Sequence, residues 1–423
     1  MARVSIPFGG TTLGFEIAER NLLGVYSPRP VPPLADLDGA IRSAVATPLG
    51  QPPLAEWIRP GNRVLILSDD NTRSTPADRI VPILLEHLTA AGVSEDRISC
   101  LIALGTHRYM TEQEMRRKVG EDVCRRIRVL NHEWKDPRQL VPLGRSSRGT
   151  PVTVNRAAVE ADVVIGLGSV VPHHIPGYSG SGKIVQPGIC GAETTAATHM
   201  LSCGGGGDSF LGRVDNPVRA DVEEIADRIG MKTICNVVSD PRGQVAGVFF
   251  GSRTEVFTRA VELARSVYGF EYQGLLDIVV AGASPCEIDF WQSHKALYPA
   301  QRMVKPGGTI ILCTPAPEGV SPVHAAVLEY TGWPSRRIKE AYSDGMIEDG
   351  VAAALAVAWA MVREKAGVIT YSPGIPEEHK AKLGHTHAPN IDWALDEAFR
   401  RQGRDAGVAV LTHAPEMLPI GKP

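Results

Sequence analysis

Short, largely apolar runs recur along this chain, each too short to form a helix. They fall at residues 64–67, 98–104, 126–130, 163–168, 234–238, 278–283, 310–314 and 368–371. A strand covered on both faces has no polar side, so these runs lack the alternation of a half-exposed strand. Between them, residues 77–91, 216–229, 253–268 and 350–365 carry apolar positions at helical spacing. Strands alternating with helices predict right-handed βαβ units, and hence an α/β fold built on parallel sheets. Residues 268–277 lead from a helix into a new strand, which predicts a domain boundary near 270–276.

Length agrees with more than one domain, since 423 residues exceed what a single core usually organises. The 44 Lys and Arg nearly balance the 47 Asp and Glu, a net charge of −3. No global footprint for nucleic acid or an anionic membrane follows from such a balance. The seven cysteines (100, 124, 190, 203, 235, 286 and 313) are odd in number and widely spaced, without a CxxC pair. That excludes a disulfide scaffold and a zinc ribbon. The opening MARVSIPFGG has no apolar leader core, and the apolar stretch 351–362 falls short of the ~20 residues a bilayer needs. A soluble, cytoplasmic protein is expected, with neither a nucleic-acid nor a membrane partner.

Ligands of open α/β sheets sit beyond the carboxyl ends of the strands. The residues found there are unusual. After 64–67 comes Ser68-Asp69-Asp70-Asn71-Thr72-Arg73-Ser74-Thr75-Pro76. Thr75 as a helix cap and Pro76 in the first turn explain part of it. Two acids and an arginine in one turn suit a phosphate or carboxylate site. After 98–104 comes Gly105-Thr106-His107-Arg108, where an imidazole directly off a strand can take and return a proton. A lone histidine is more often structural, but its position favours a site.

The densest segment follows 163–168: Pro172-His173-His174, then Gly177 to Lys183, then His199. Gly177–Lys183 matches G-x-x-x-x-G-K, but Ile184 stands where a phosphate-cradling loop needs Ser or Thr for magnesium. A nucleotide-binding hydrolase is therefore the weaker reading. In the second half, Asp289-Phe290-Trp291-Gln292-Ser293-His294-Lys295 follows a strand, with Asp289 as a cap and Gln292 and Lys295 on one helix face. His385, His387 and His413 read as surface turns without a catalytic role. No metal-ligand spacing such as HExxH appears.

In this order and spacing, with Lys183 ten residues after His173 and His199 sixteen beyond it, the segments resemble the lactate racemase family. Its members are nickel-pincer nucleotide-dependent 2-hydroxyacid racemases and epimerases. The resemblance spans most of the chain. It implies two Rossmann-like α/β domains with a cofactor cleft between them. Residues 1–270 would form the cofactor-binding domain and 275–400 the second, with 401–423 packing back on the first. Lys183 would hold the cofactor, a nickel pyridinium-3,5-bisthiocarboxylic acid mononucleotide, and His199 would ligate the metal. His107 and His173 would be the acid–base pair, and Arg73 and Lys295 would bind the substrate carboxylate. Asp70, Thr72, Trp291 and Gln292 would line the pocket. One histidine would take the hydroxyl proton as the C2 hydride moves to the cofactor; a planar 2-keto acid would turn and be reduced from its other face. Cofactor-biosynthesis proteins would be needed for maturation.

Three features depart from the family pattern. His173 is doubled by His174, so either ring could face the substrate. Trp291 stands in place of a tyrosine, and Asp349-Gly350-Val351 lacks the family's tryptophan. With His294, His174 and Arg108 as extra cations, malate is a candidate beside lactate. A larger or sugar-derived hydroxy acid filling space opened at Gly350 is another.

Overall fold

The computed structural model describes residues 1–204 and 209–422 and places the chain on two six-stranded sheets. The first runs Val245–Ser252, Thr233–Ser239, Val163–Ser169, Val64–Asp69, Ile98–Ala103, Arg128–Asn131. All are parallel except the Val245–Ser252 edge. Read from the Arg128–Asn131 edge, the strands lie in the chain order 3-2-1-4-5-6 of a doubly wound dinucleotide-binding sheet. The order reverses between Val64–Asp69 and Val163–Ser169, and every residue of both strands is buried. That burial explains their unbroken apolar character.

The second sheet is parallel throughout: Thr386–Ala388, Gly367–Tyr371, Val304–Cys313, Leu276–Gly282, Val408–Leu411, Leu22–Tyr26. Its order reverses between Leu276–Gly282 and Val408–Leu411. All eight strands expected from the apolar runs are present, as are the four helices.

Both ends of the chain depart from the expected division. Strand Leu22–Tyr26 is the edge of the second sheet, so the first residues do not belong with a unit 1–270. The hairpin Ala2–Phe8/Thr11–Ile17 goes with it: Val4, Ile6, Phe15 and Ile17 pack against Ile278, Val280 and Ile311. Residues 401–423 are likewise split. Val408–Leu411 lies inside the second sheet, whereas Leu418–Lys422 pairs with Gly269–Gln273. There the tail reaches the first half, where Leu418 packs with Val170 and Tyr178, as does the Ala414–Glu416 turn beside Pro172 and His173. No helix among the described residues is long and apolar enough to cross a membrane.

Candidate active site between the two sheets

The carboxyl ends of the strands at both reversals face a common cavity. Asp70, Thr72 and Arg73 enter from the turn after Val64–Asp69, and His107 from the turn after Ile98–Ala103. His173, His174, Lys183 and His199 come from the segment after Val163–Ser169. Trp291, Gln292, His294 and Lys295 arrive from the short helix after Leu276–Gly282. All the side chains singled out for a site in the sequence except Arg108 thus line one cavity.

A chain of hydrogen bonds crosses it. Lys295 Nζ donates to Gln292 Oε1, which turns the Gln292 amide nitrogen toward His107 Nε2 at 3.2 Å. His107 Nδ1 lies 2.6 Å from Asp70 Oδ2, and Asp70 Oδ1 accepts from the Thr72 backbone N–H at 3.1 Å and from its hydroxyl. A carboxylate only accepts, so His107 carries its proton on Nδ1 and keeps the Nε2 lone pair for the cavity. Burial alone would raise the Asp70 carboxyl, but His107, Arg73 and the Thr72 hydroxyl together hold it well below its ordinary range. Burial lowers His107 despite Asp70, so its resting state is neutral.

His173 has the opposite tautomer. Its Nδ1 accepts from the Ile175 N–H at 3.2 Å, so the proton sits on Nε2. Burial, then Lys183 and His174, push it well below 6.5. The doubled histidine is explained by packing: His174 stacks on Tyr298 at 3.8 Å and on His173 at 4.7 Å. His294 Nδ1 meets the Tyr298 hydroxyl at 3.0 Å. Burial also keeps both His174 and His294 neutral, so neither is the extra cation expected from sequence. Arg108 is a cation but a committed one. It grips Glu114 at 2.8 and 2.9 Å, with Glu318 at 3.4 Å.

The Gly-Ser loop is not a phosphate cradle. Ser181 N donates to Asn236 Oδ1 at 3.2 Å, and Gly182 N to Glu223 Oε1 at 3.3 Å. A phosphate-binding loop needs those N–H groups free. Here a carboxylate and a carboxamide of this chain take them. Buried Arg219 fixes the loop from behind, donating to the carbonyls of Pro176, Tyr178 and Gly180 and to Glu223 at 3.0 Å. Gly177 sits at φ +85°, and a Cβ there would lie 1.8 Å from the Arg213 carbonyl oxygen, so only glycine fits. Replacing Arg219 by Met should cost about 3–5 kcal/mol, because three buried carbonyls lose their donor along with a broken ion pair. Urea unfolding of the purified variant reads that loss.

Lys183 projects from this loop, and no described residue offers its Nζ a hydrogen bond or ion pair. Burial, with Arg73 and Lys295 nearby, holds it well below 10.5, which increases its neutral, nucleophilic fraction. His199 lies in the last turn of helix Ala192–Ser202. Burial brings it down to about 3, partly offset by the Thr195 carbonyl, yet its buried Nδ1 has no well-formed hydrogen bond. A neutral, under-bonded imidazole is a competent metal ligand. No cluster of three His, Cys, Asp or Glu suited to a metal occurs among the described residues. A metal held by His199 would have to bring its remaining ligands with it, as a pincer-bound nickel does. The residues present therefore fit such a group.

Several contributors were not legible. Asp69 is structural: it pairs with buried Lys118 at 2.7 Å and accepts from the Thr75 hydroxyl. Thr75 is thereby diverted from the expected cap, and helix Ala77–Ala90 starts after Pro76 without one. Trp291 stacks at 4.3 Å on His324, which bonds to Asp349 and to the Thr106 carbonyl next to His107. No local motif marked His324. Gly350 opens no space: a Cβ there would come within 2.8 Å of Ala196 and 2.5 Å of the Tyr342 hydroxyl. His385 is buried, bonded to Thr370 and edge-on to Phe290, so it is a core residue instead of a surface one.

Residues 8–208 match a family described as the lactate racemase N-terminal domain. The chain is 26% identical over 324 residues to the lactate racemase of Thermoanaerobacterium thermosaccharolyticum, covering 75% of this chain and 76% of that protein. It is 25% identical over 422 residues to the lactate racemase of Lactiplantibacillus plantarum, covering 97% and 98%. Its fold matches the structure of the T. thermosaccharolyticum lactate racemase apoprotein with a TM-score of 0.88 at 22% identity, over 99% of this chain and 100% of that one. A Thermotoga maritima structure matches with a TM-score of 0.73 at 22% identity, over 93% and 100%.

Proposed function

We propose that this chain, which belongs to the lactate racemase family, is a 2-hydroxyacid racemase in which His107 and His173 handle the hydroxyl proton. The observation that carries this is the pair of neutral imidazoles, His173 buried and His107 partly so, held in opposite tautomers within one cavity, beside Arg73 and Lys295.

Arg73 and Lys295 anchor the substrate carboxylate. The substrate hydroxyl then replaces the Gln292 amide at His107 Nε2 and gives up its proton there. Asp70 stabilises the imidazolium that forms, as a buried carboxylate does for a catalytic histidine. His173 presents its Nε2 proton to the oxygen from the other side. The α-hydrogen of a carboxylate is too weakly acidic for a neutral imidazole, so inversion fits oxidation of C2 to a planar 2-keto acid and its reduction from the opposite face. When bound, a nickel-pincer nucleotide held by Lys183 and His199 would supply the hydride acceptor that this requires. Maturation would then depend on cofactor-biosynthesis proteins. The walls shared by the two sheets keep water from the reacting centre.

The lining favours a monocarboxylate of the lactate type over malate. Arg108 is committed to Glu114 and Glu318, His174 and His294 are neutral, and Ile175, Val218, Val351 and Leu355 give the cavity an apolar wall. A second carboxylate would find no uncommitted partner. Arg108→Ala should therefore change KM for lactate and malate by the same factor. Circular dichroism of D-lactate and of D-malate with cofactor-loaded protein tests the whole reading. Loss of signal with lactate is expected; loss with malate alone would overturn the substrate assignment, and no loss with either would overturn the activity.

A further inference from the structure

The C-terminal turn Ala414–Glu416 closes over a second, smaller chamber beside His173. Arg73, Lys295, Glu416 and Cys286 all line it. These charged groups converge without pairing. Arg73 donates to the Thr72 carbonyl at 3.0 Å and to its hydroxyl at 3.1 Å, and Lys295 donates to Gln292. Among the described residues no cation comes within 4.0 Å of the Glu416 carboxyl, and that carboxyl makes no hydrogen bond. The two cations assigned to the substrate carboxylate thus share a small chamber with a carboxyl group of this chain.

Two carboxylates cannot share that space cheaply. Like charges in a low-dielectric site drive one of the pair to bind a proton. We propose that Glu416 is a substrate-binding residue, taking up a proton as the substrate carboxylate settles between Arg73 and Lys295 and donating that hydrogen to it. The inference rests on the racemase reading above. No bond to carbon changes: one proton enters from solvent on binding and returns on release.

The surroundings support it. Burial raises Glu416 to about 7, with Arg73 and Lys295 opposing the rise. The other groups facing it do not change charge at that point. Cys286 and Tyr268 are pushed upward by burial, and His173 and His174 are held neutral. Lys295, brought to about 8 by burial and Arg73, is the next to titrate.

The test compares wild-type enzyme with Glu416→Gln between pH 6 and 9. Wild-type KM for lactate should rise about tenfold per pH unit between about 7 and 8, while the variant stays flat to about 8. Calorimetry at pH 8 with racemic lactate, which gives no net turnover heat, should show uptake of about one proton more per ligand by the wild type than by the variant, whose remaining uptake is that of Lys295. An independent readout covers the free protein. The folded carboxyl holds its proton up to about 7, whereas the unfolded one releases it near ~4.3, so wild-type stability should fall as pH rises across that window. Thermal melts of Glu416→Gln should lack that slope. Should the variant not fold, proton uptake by the wild type at pH 7, where Lys295 is still protonated, decides the matter. Inversion without proton uptake, or identical KM profiles, would overturn the role of Glu416 and leave the racemase reading standing. Failure of lactate either to bind or to invert would overturn both.

Discussion

Asp70→Asn should lower kcat about a hundredfold to ten-thousandfold without unfolding the protein. Asp70 Oδ1 is tied to the Thr72 backbone and hydroxyl, so the asparagine oxygen would keep that side. Its amide nitrogen must then face His107 Nδ1, where a carboxylate oxygen now sits at 2.6 Å. Two N–H groups cannot point at each other. The imidazole would move its proton to Nε2 and present no lone pair to the substrate hydroxyl. The imidazolium formed in the reaction would lose its counter-charge as well. Steady-state kinetics should place the loss in kcat, and in kcat/KM to a similar extent; a change confined to KM would assign Asp70 to binding only.

The second large effect is a separation of stability from function at Lys183. Lys183→Met should abolish racemisation and remove any covalent adduct seen in the intact mass of the mature enzyme. The same change should raise apoprotein stability by about 0.5–2 kcal/mol, as relieving a functional constraint commonly does. The pH dependence fixes the cause. Burial lowers the Lys183 ammonium well below 10.5, so the unfolded chain binds one more proton than the folded one between the lowered value and ~10.4. Wild-type stability should therefore rise with pH across that window, and the advantage of the methionine should shrink toward its upper end. An advantage independent of pH would point to packing instead of charge.

Strands covered on both faces announce themselves, and from them followed the first sheet and the turns that carry its residues. Strand Leu22–Tyr26 was hidden because it is a lone edge strand, partly exposed and alternating, whose partner Val408–Leu411 lies nearly four hundred residues away. Charge was the least legible property. Arg108 reads as a spare cation until Glu318 arrives from the other sheet, and His294 reads as one until it is buried against Tyr298. The Gly177–Lys183 loop reads as a phosphate site until Glu223 and Asn236, forty and more residues on, take the N–H groups of Gly182 and Ser181. Gly350 reads as added space until a neighbouring helix fills it. Glu416 carries no motif at all, and only the fold brings the C-terminal turn against Arg73 and Lys295. In each case the missing information was a long-range partner or a loss of solvent, neither of which a local pattern records.

The central claim is that His107 and His173 move only the hydroxyl proton, while the hydrogen on C2 never exchanges with water. It is tested most directly with single-enantiomer lactate deuterated at C2, incubated with cofactor-loaded enzyme in ordinary water. The inverted product, read by mass spectrometry after chiral separation, should retain its deuterium. Inverted product carrying protium from solvent at C2 would make the histidines carbon acid–base catalysts and contradict the assignment.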